Sequence, residues 1–319
     1  MNMRHALYDW IGRYGLGRAQ GDALFRLAGH DAEPQAVARH FWPAVAVLAG
    51  ALAGFGILLW IAANWQDFGR LGRFALLQGA IAALCAGAVA RSAWRAPLAL
   101  AALLCIGGLF AYFGQTYQTG ADPWQLFALW ALLALPLCLG ARSDVLWAPW
   151  ALVAVVAVSL WIHAHIGHRW HVRPEDFGIY SIGWAACGVL VAALGAPLRR
   201  FSGAGPWAQR TAGALAVVMV TLTALGGLFA SRIAPQYALG LAVLAAAALV
   251  LAQRRWFDVF LLSAVALALD SLVVGGLAHA MFRRTGEAIG QLLIIGLVAA
   301  GLLALSVSAV TRLARRHGE

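Results

Sequence analysis

Ten times along the chain the sequence runs for about 20 residues with almost no charge, the length an α-helix needs to cross ~30 Å of hydrocarbon. The runs fall near 42–63, 72–90, 97–113, 124–140, 145–163, 177–195, 210–230, 235–252, 256–278 and 287–310. Lipid offers no partner to backbone N–H and C=O groups, so continuous runs of this kind can be satisfied only as helices. The expected fold is all-α, a polytopic transmembrane helical bundle of about ten spans. A soluble core is excluded by composition, since 11% charged residues against 62% hydrophobic ones cannot supply a wet surface.

All the basic residues are arginine, 23 against 13 acids, for a net charge of +10. They stand as ones and twos between apolar runs, with no basic stripe interleaved with aromatics, so nucleic acid is not an expected partner. They read instead as topology signals. With ten spans and the N-terminus inside, 16 arginines fall on the inner side and 7 on the outer, which places both termini in the cytoplasm under the positive-inside rule. The first apolar run begins near Phe41, after a charged segment and without a small-residue cleavage pattern, so it is expected to stay as a helix. The localisation that follows is a bacterial inner membrane, multi-pass, with the lipid bilayer as the first partner.

Residues 1–41 differ in kind. Leu7, Trp10, Ile11 and Tyr14 fall at helical spacing, and Leu24 and Leu27 repeat the pattern after a glycine break. They predict a cytoplasmic amphipathic helical pair, either lying on the membrane surface or acting as a docking module. The transmembrane domain then spans 42–311, and 312–319 form a basic cytoplasmic tail.

The stretch "FAYFGQTYQTGADPWQ", Phe110 to Gln125, gathers polar residues that the rest of the chain lacks. Gly114 and Gly120 are expected to bracket a turn, with Asp122 as N-cap and Pro123 opening the next helix. Capping does not explain Gln115, Thr116, Tyr117, Gln118 and Thr119. Gln115, Tyr117, Gln118, Thr119 and Asp122, together with Asn64 and Trp65 at the end of the first span and Trp124 at interfacial depth, are the candidate ligand-binding residues. Two readings stay open: a segment dipping inward to line a cavity, or an ordinary wet outer loop.

Asp270 lies about 12 residues past Asp258, or ~18 Å along a helix, which puts it inside the outer half of the membrane. It is the proton or ion candidate, with helix-to-helix hydrogen bonding as the alternative. His163, His165, His168 and His171 are weak metal candidates, since His163 and His165 share a face only in an extended segment and no pattern of ligands completes them. Cys85, Cys105, Cys138 and Cys187 sit in apolar runs without ligand spacing and read as packing residues. No phosphate loop, dinucleotide fingerprint or serine triad is present, so no cofactor is expected and an enzymatic reading has little support.

The segments "LYDWIGRYGLGRAQGDALFRL", "GILLWIAANW" and "GQTYQTGADPWQLFALWALLALP" resemble the bacterial predicted membrane proteins grouped as domain of unknown function 2157 (DUF2157). The resemblance covers about the first 140 residues. It brings no activity with it, but it implies that the second and third segments mark a shared site.

"GGLFA" occurs at Gly107–Ala111 and Gly226–Ala230, followed by Gln115 and Tyr117 in one case and Gln236 and Tyr237 in the other, which would make a parallel repeat. For function, the leading expectation is a transporter or ligand-binding permease with an outer-facing polar site for a small-molecule or lipid ligand. The alternatives are a structural or sensory membrane protein signalling through its N-terminal helices to a protein partner the sequence does not identify, and an intramembrane enzyme on a lipid-borne substrate.

Overall fold

The computed structural model describes residues 3–28, 41–64, 68–117, 120, 122–168, 171–230, 232–283 and 288–317. Among these, every regular element is helical. The chain divides into two compact units, Met1–Ala49 and Gly50–Glu319.

The first unit holds α1 (Met3–Arg13) and α2 (Arg18–Leu27). Gly15, at φ +58°, takes the left-handed conformation that reverses the chain between them. The seam is narrow: Leu7 is buried, Gly21 leaves room for Ile11, and Tyr8 meets Phe25 edge-on at 5.3 Å. Trp10 and Tyr14, expected on the same apolar stripe, are exposed, because two short helices cover only an i, i+4 row.

The second unit continues α3 (Trp42–Ala63) from Gly50 and adds α4 (Arg70–Ala90), α5 (Arg95–Tyr117), α6 (Pro123–Ala141), α7 (Asp144–His165) and α8 (Phe177–Ala193). The short α9 (Arg199–Ser202) precedes α10 (Pro206–Leu228), α11 (Pro235–Leu251), α12 (Val259–Phe282) and α13 (Ala288–His317). Among the described residues nine helices are long and apolar enough to cross a membrane; α8 reaches that length with the turn at Pro174–Asp176. Helix α11, at 17 residues, is shorter and would extend ~25 Å. The chain is a helical membrane protein of about ten apolar segments.

Small residues set the packing. Around Leu103, Cys138, Leu146 and Trp147 a core forms between α5, α6, α7 and α10, with Ala99, Ala134, Ala151, Ala208 and Ala212 letting the backbones approach. A second core joins α7, α8, α10, α11 and α12 through Trp184, Ala224, Leu244 and Leu272. Cys105, Cys138 and Cys187 are buried, Cys85 is half-buried, and all four are free thiols. At the end where α6 passes to α7 through only Arg142 and Ser143, Asp144 accepts N–H bonds from Gly205, Trp207 and Ala208 at 3.0, 2.7 and 2.9 Å, capping α10 from another helix. Arg210 and Asp258 pair at 2.9 Å at the start of α12.

Three boundaries depart from expectation. Helix α5 does not stop near residue 113 but runs to Tyr117, so Gly114 lies inside it, close against Leu126 of α6, while Gly120, at φ +68°, takes the left-handed conformation. Residues 312–317 are not a separate tail: α13 continues through Arg312, Arg315 and Arg316, cations that suit the negative end of a helix. The two "GGLFA" segments also differ in setting. The first is mid-helix, with Gly107 facing Trp130; the second closes α10 at Leu228, after which Gln236 is fully buried and donates to the Arg173 carbonyl at 2.6 Å.

Candidate functional site

The α3 end and the α5 end meet. Ile61, Leu77 and Tyr112 form a buried cluster at this end of α3, α4 and α5, with Phe74 and Leu109 packed around it. Above it opens a cavity of about 320 Å³ lined by Arg70, Arg73, Tyr112, Gln115 and Thr116. Tyr112 donates to the Arg70 carbonyl at 3.3 Å, tying the last turns of α5 to the first turn of α4. Tyr117 stacks beside Phe113 and Phe74, at 4.8 and 5.9 Å, and the Arg70 guanidinium lies 5.8 Å over its ring.

The electrostatics of this cavity favour an anion. Two arginines of the first turn of α4 line it, and the N-cap of that helix, Gly69, offers no side-chain cap to the helix amides. The positive end of the helix dipole and two cationic residues therefore gather at the same end of α4. Gln115 and Thr116 add neutral hydrogen-bonding groups, while the Tyr112 hydroxyl is already committed to the Arg70 carbonyl. Such a lining can hold a phosphate or carboxylate through charge-assisted bonds and orient it through the neutral ones.

The other candidates lie elsewhere. Asn64 turns back to donate to the Trp60 carbonyl at 2.8 Å, closing α3. Trp65, Gln118 and Thr119 lie outside the described residues. Asp122 occupies the N-cap position of α6, but its side chain makes no cap bond there. It approaches His168 at 3.6 Å instead, while Trp124 faces His165 at 6.2 Å between ring centres. His165 is held by the Trp161 carbonyl at 2.8 Å and stacks on that indole at 4.4 Å; His163 faces His168 at 5.2 Å; His171 is exposed. Among the described residues no three of His, Cys, Asp or Glu gather as a metal site would require. Asp270 accepts a 2.7 Å bond from Ser306 of α13 and lines neither this cavity nor its neighbours.

Sequence reasoning placed Thr116 in the polar stretch but missed Arg70, Arg73 and Tyr112 as lining residues. A signal for two of them was present. Arg70 and Arg73 stand on the arginine-poor side of the expected topology and at the wrong end of a helix for a cation, so neither orientation nor helix stability accounts for them.

The fold and this cavity define a class: a helical integral membrane protein with a cationic, hydrogen-bonding pocket at one end of its helices. Residues 8–147, which run from α1 into α7 and include every residue lining that pocket, match the family of predicted membrane proteins DUF2157. No curated protein and no solved structure matches the chain.

Proposed function

We propose that the protein is a ligand-binding membrane protein whose α4–α5 cavity takes an anionic, oxygen-rich group of the phosphate or carboxylate class. The observation that carries this reading is the convergence of Arg70, Arg73, Tyr112, Gln115 and Thr116 on one cavity of about 320 Å³. Solute handling enters as binding at this pocket. Asp270, bonded to Ser306, serves the pairing of α12 with α13 in this reading and takes no part in a coupling step.

Thermal unfolding of the purified full chain with and without inorganic phosphate tests it. A ligand bound only by the folded state raises the unfolding temperature with concentration. The rise is expected for the native sequence, weakened in Gln115→Ala, and lost in Arg70→Gln with Arg73→Gln. Equal stabilisation of native and double-arginine variants would overturn the assignment, as would no stabilisation by phosphate or by acetate.

A further inference from the structure

A second cavity, of about 670 Å³, lies between α3 and α4. Its walls are Trp60, Ile61 and Gly56 on α3 and Leu76, Gly79, Ala80 and Ala83 on α4, so it is an apolar trough floored by residues with little or no side chain. On α4 the residues Arg73, Leu76, Ala80 and Ala83 follow helical i, i+3, i+7, i+10 spacing and form one row. Arg73 therefore stands at the head of the trough while lining the polar cavity. The floor is continuous as well: Ile61 of the trough and Tyr112 of the polar cavity belong to one packed cluster.

From Arg73 to Ala83 is ten residues, or ~15 Å of helix, which is half of a ~30 Å hydrocarbon core and so the depth of one leaflet. We propose that the two cavities together bind one phospholipid of net negative charge, its phosphate held by Arg70 and Arg73 with Gln115 and Thr116, and one acyl chain laid in the α3–α4 trough. The inference rests on the anion-site reading above and names the ligand of that site. Charge complementarity at the head of the trough selects an anionic lipid over a zwitterionic one, because a choline group would bring a third cation beside two guanidiniums.

A Cβ built at Gly56 or Gly79 meets nothing within 4 Å, so leucine at either position fills the trough without disturbing the helix backbones. The full chain, in detergent, would be given phosphatidylglycerol and phosphatidylcholine with the same acyl chains, and bound lipid counted by native mass spectrometry. The native chain is expected to retain phosphatidylglycerol about tenfold better. Gly56→Leu with Gly79→Leu should lose that retention by about as much while keeping its stabilisation by inorganic phosphate, and Arg70→Gln with Arg73→Gln should lose both. Undiminished phosphatidylglycerol retention in the glycine variant overturns the lipid inference and leaves the anion site standing if phosphate still stabilises. Equal retention of the two lipids with phosphate stabilisation intact would show a soluble anion as the ligand and also overturn it. Failure of phosphate and of both lipids removes the two readings together.

Discussion

Asp270 takes a hydroxyl hydrogen from Ser306 across 36 residues of chain, at 2.7 Å, in the middle of two apolar helices. Interhelical hydrogen bonds of this kind in membranes are worth about 0.6 kcal/mol, rarely above ~1.7. Asp270→Asn keeps an acceptor and should leave stability within a few tenths of a kcal/mol, whereas Asp270→Leu should cost no more than about 1 kcal/mol and leave phosphate binding unchanged. Unfolding in a graded series of denaturing detergent reads both; a loss of phosphate binding in Asp270→Asn would return this residue to the ligand site. Asp144 is the opposite case. It satisfies three N–H groups at the start of α10, so Asp144→Ala should cost about 2 kcal/mol or more, with Asp144→Asn intermediate because one oxygen remains. The same unfolding series gives that order, and an alanine variant as stable as the native chain would show that water replaces the carboxylate.

At the scale of elements, α5 and α6 are fitted by a glycine and a tryptophan. Gly107 leaves the space that the Trp130 ring occupies, and Trp130 donates its indole N–H to the Leu103 carbonyl at 2.9 Å. Gly107→Val must push the indole away, so a loss of about 1–3 kcal/mol is expected from overpacking, while Trp130→Phe should lose about 1 kcal/mol for the hydrogen bond. If the two changes combine with less than their summed cost, the contact is shared as described; simple additivity would separate the residues. The helices themselves were legible in the sequence to within a few residues, because a membrane demands local apolar runs and a run is visible without knowing its neighbours. The polar ends were not. The last turns of α5 lie against the first turn of α4, where Tyr112 bonds the Arg70 carbonyl and Gln115 and Thr116 share a cavity with Arg70 and Arg73, and those contacts cross more than 40 positions. Asp122 was readable as an N-cap position but not as the neighbour of His168, for the same reason.

At the scale of the whole molecule, topology turns on α11. If its 17 residues cross, the chain passes the membrane ten times, both termini share one side, and arginines divide 16 to 7. If α11 stays on the surface where α10 ends, every later segment changes side: Arg254, Arg255, Arg312, Arg315 and Arg316 join the arginine-poor face, Arg283 and Arg284 leave it, and the division falls to 13 against 10. The positive-inside rule therefore favours crossing, and ~25 Å of helix needs only slight thinning of a ~30 Å core to do so. Reporter domains fused in turn to each end of the chain, active only in the cytoplasm, should both be active. A silent C-terminal reporter beside an active N-terminal one would leave nine crossings. It would not move the ligand site, because Arg70, Arg73, Tyr112, Gln115 and Thr116 all precede α11, and the first five apolar helices would keep their orientation. A cysteine at Gln115, tested with a membrane-impermeant thiol reagent on intact cells in a background where the four native cysteines are serine, should label from outside in either case. Labelling only after the cells are opened would invert the molecule and place the anion pocket on the cytoplasmic leaflet.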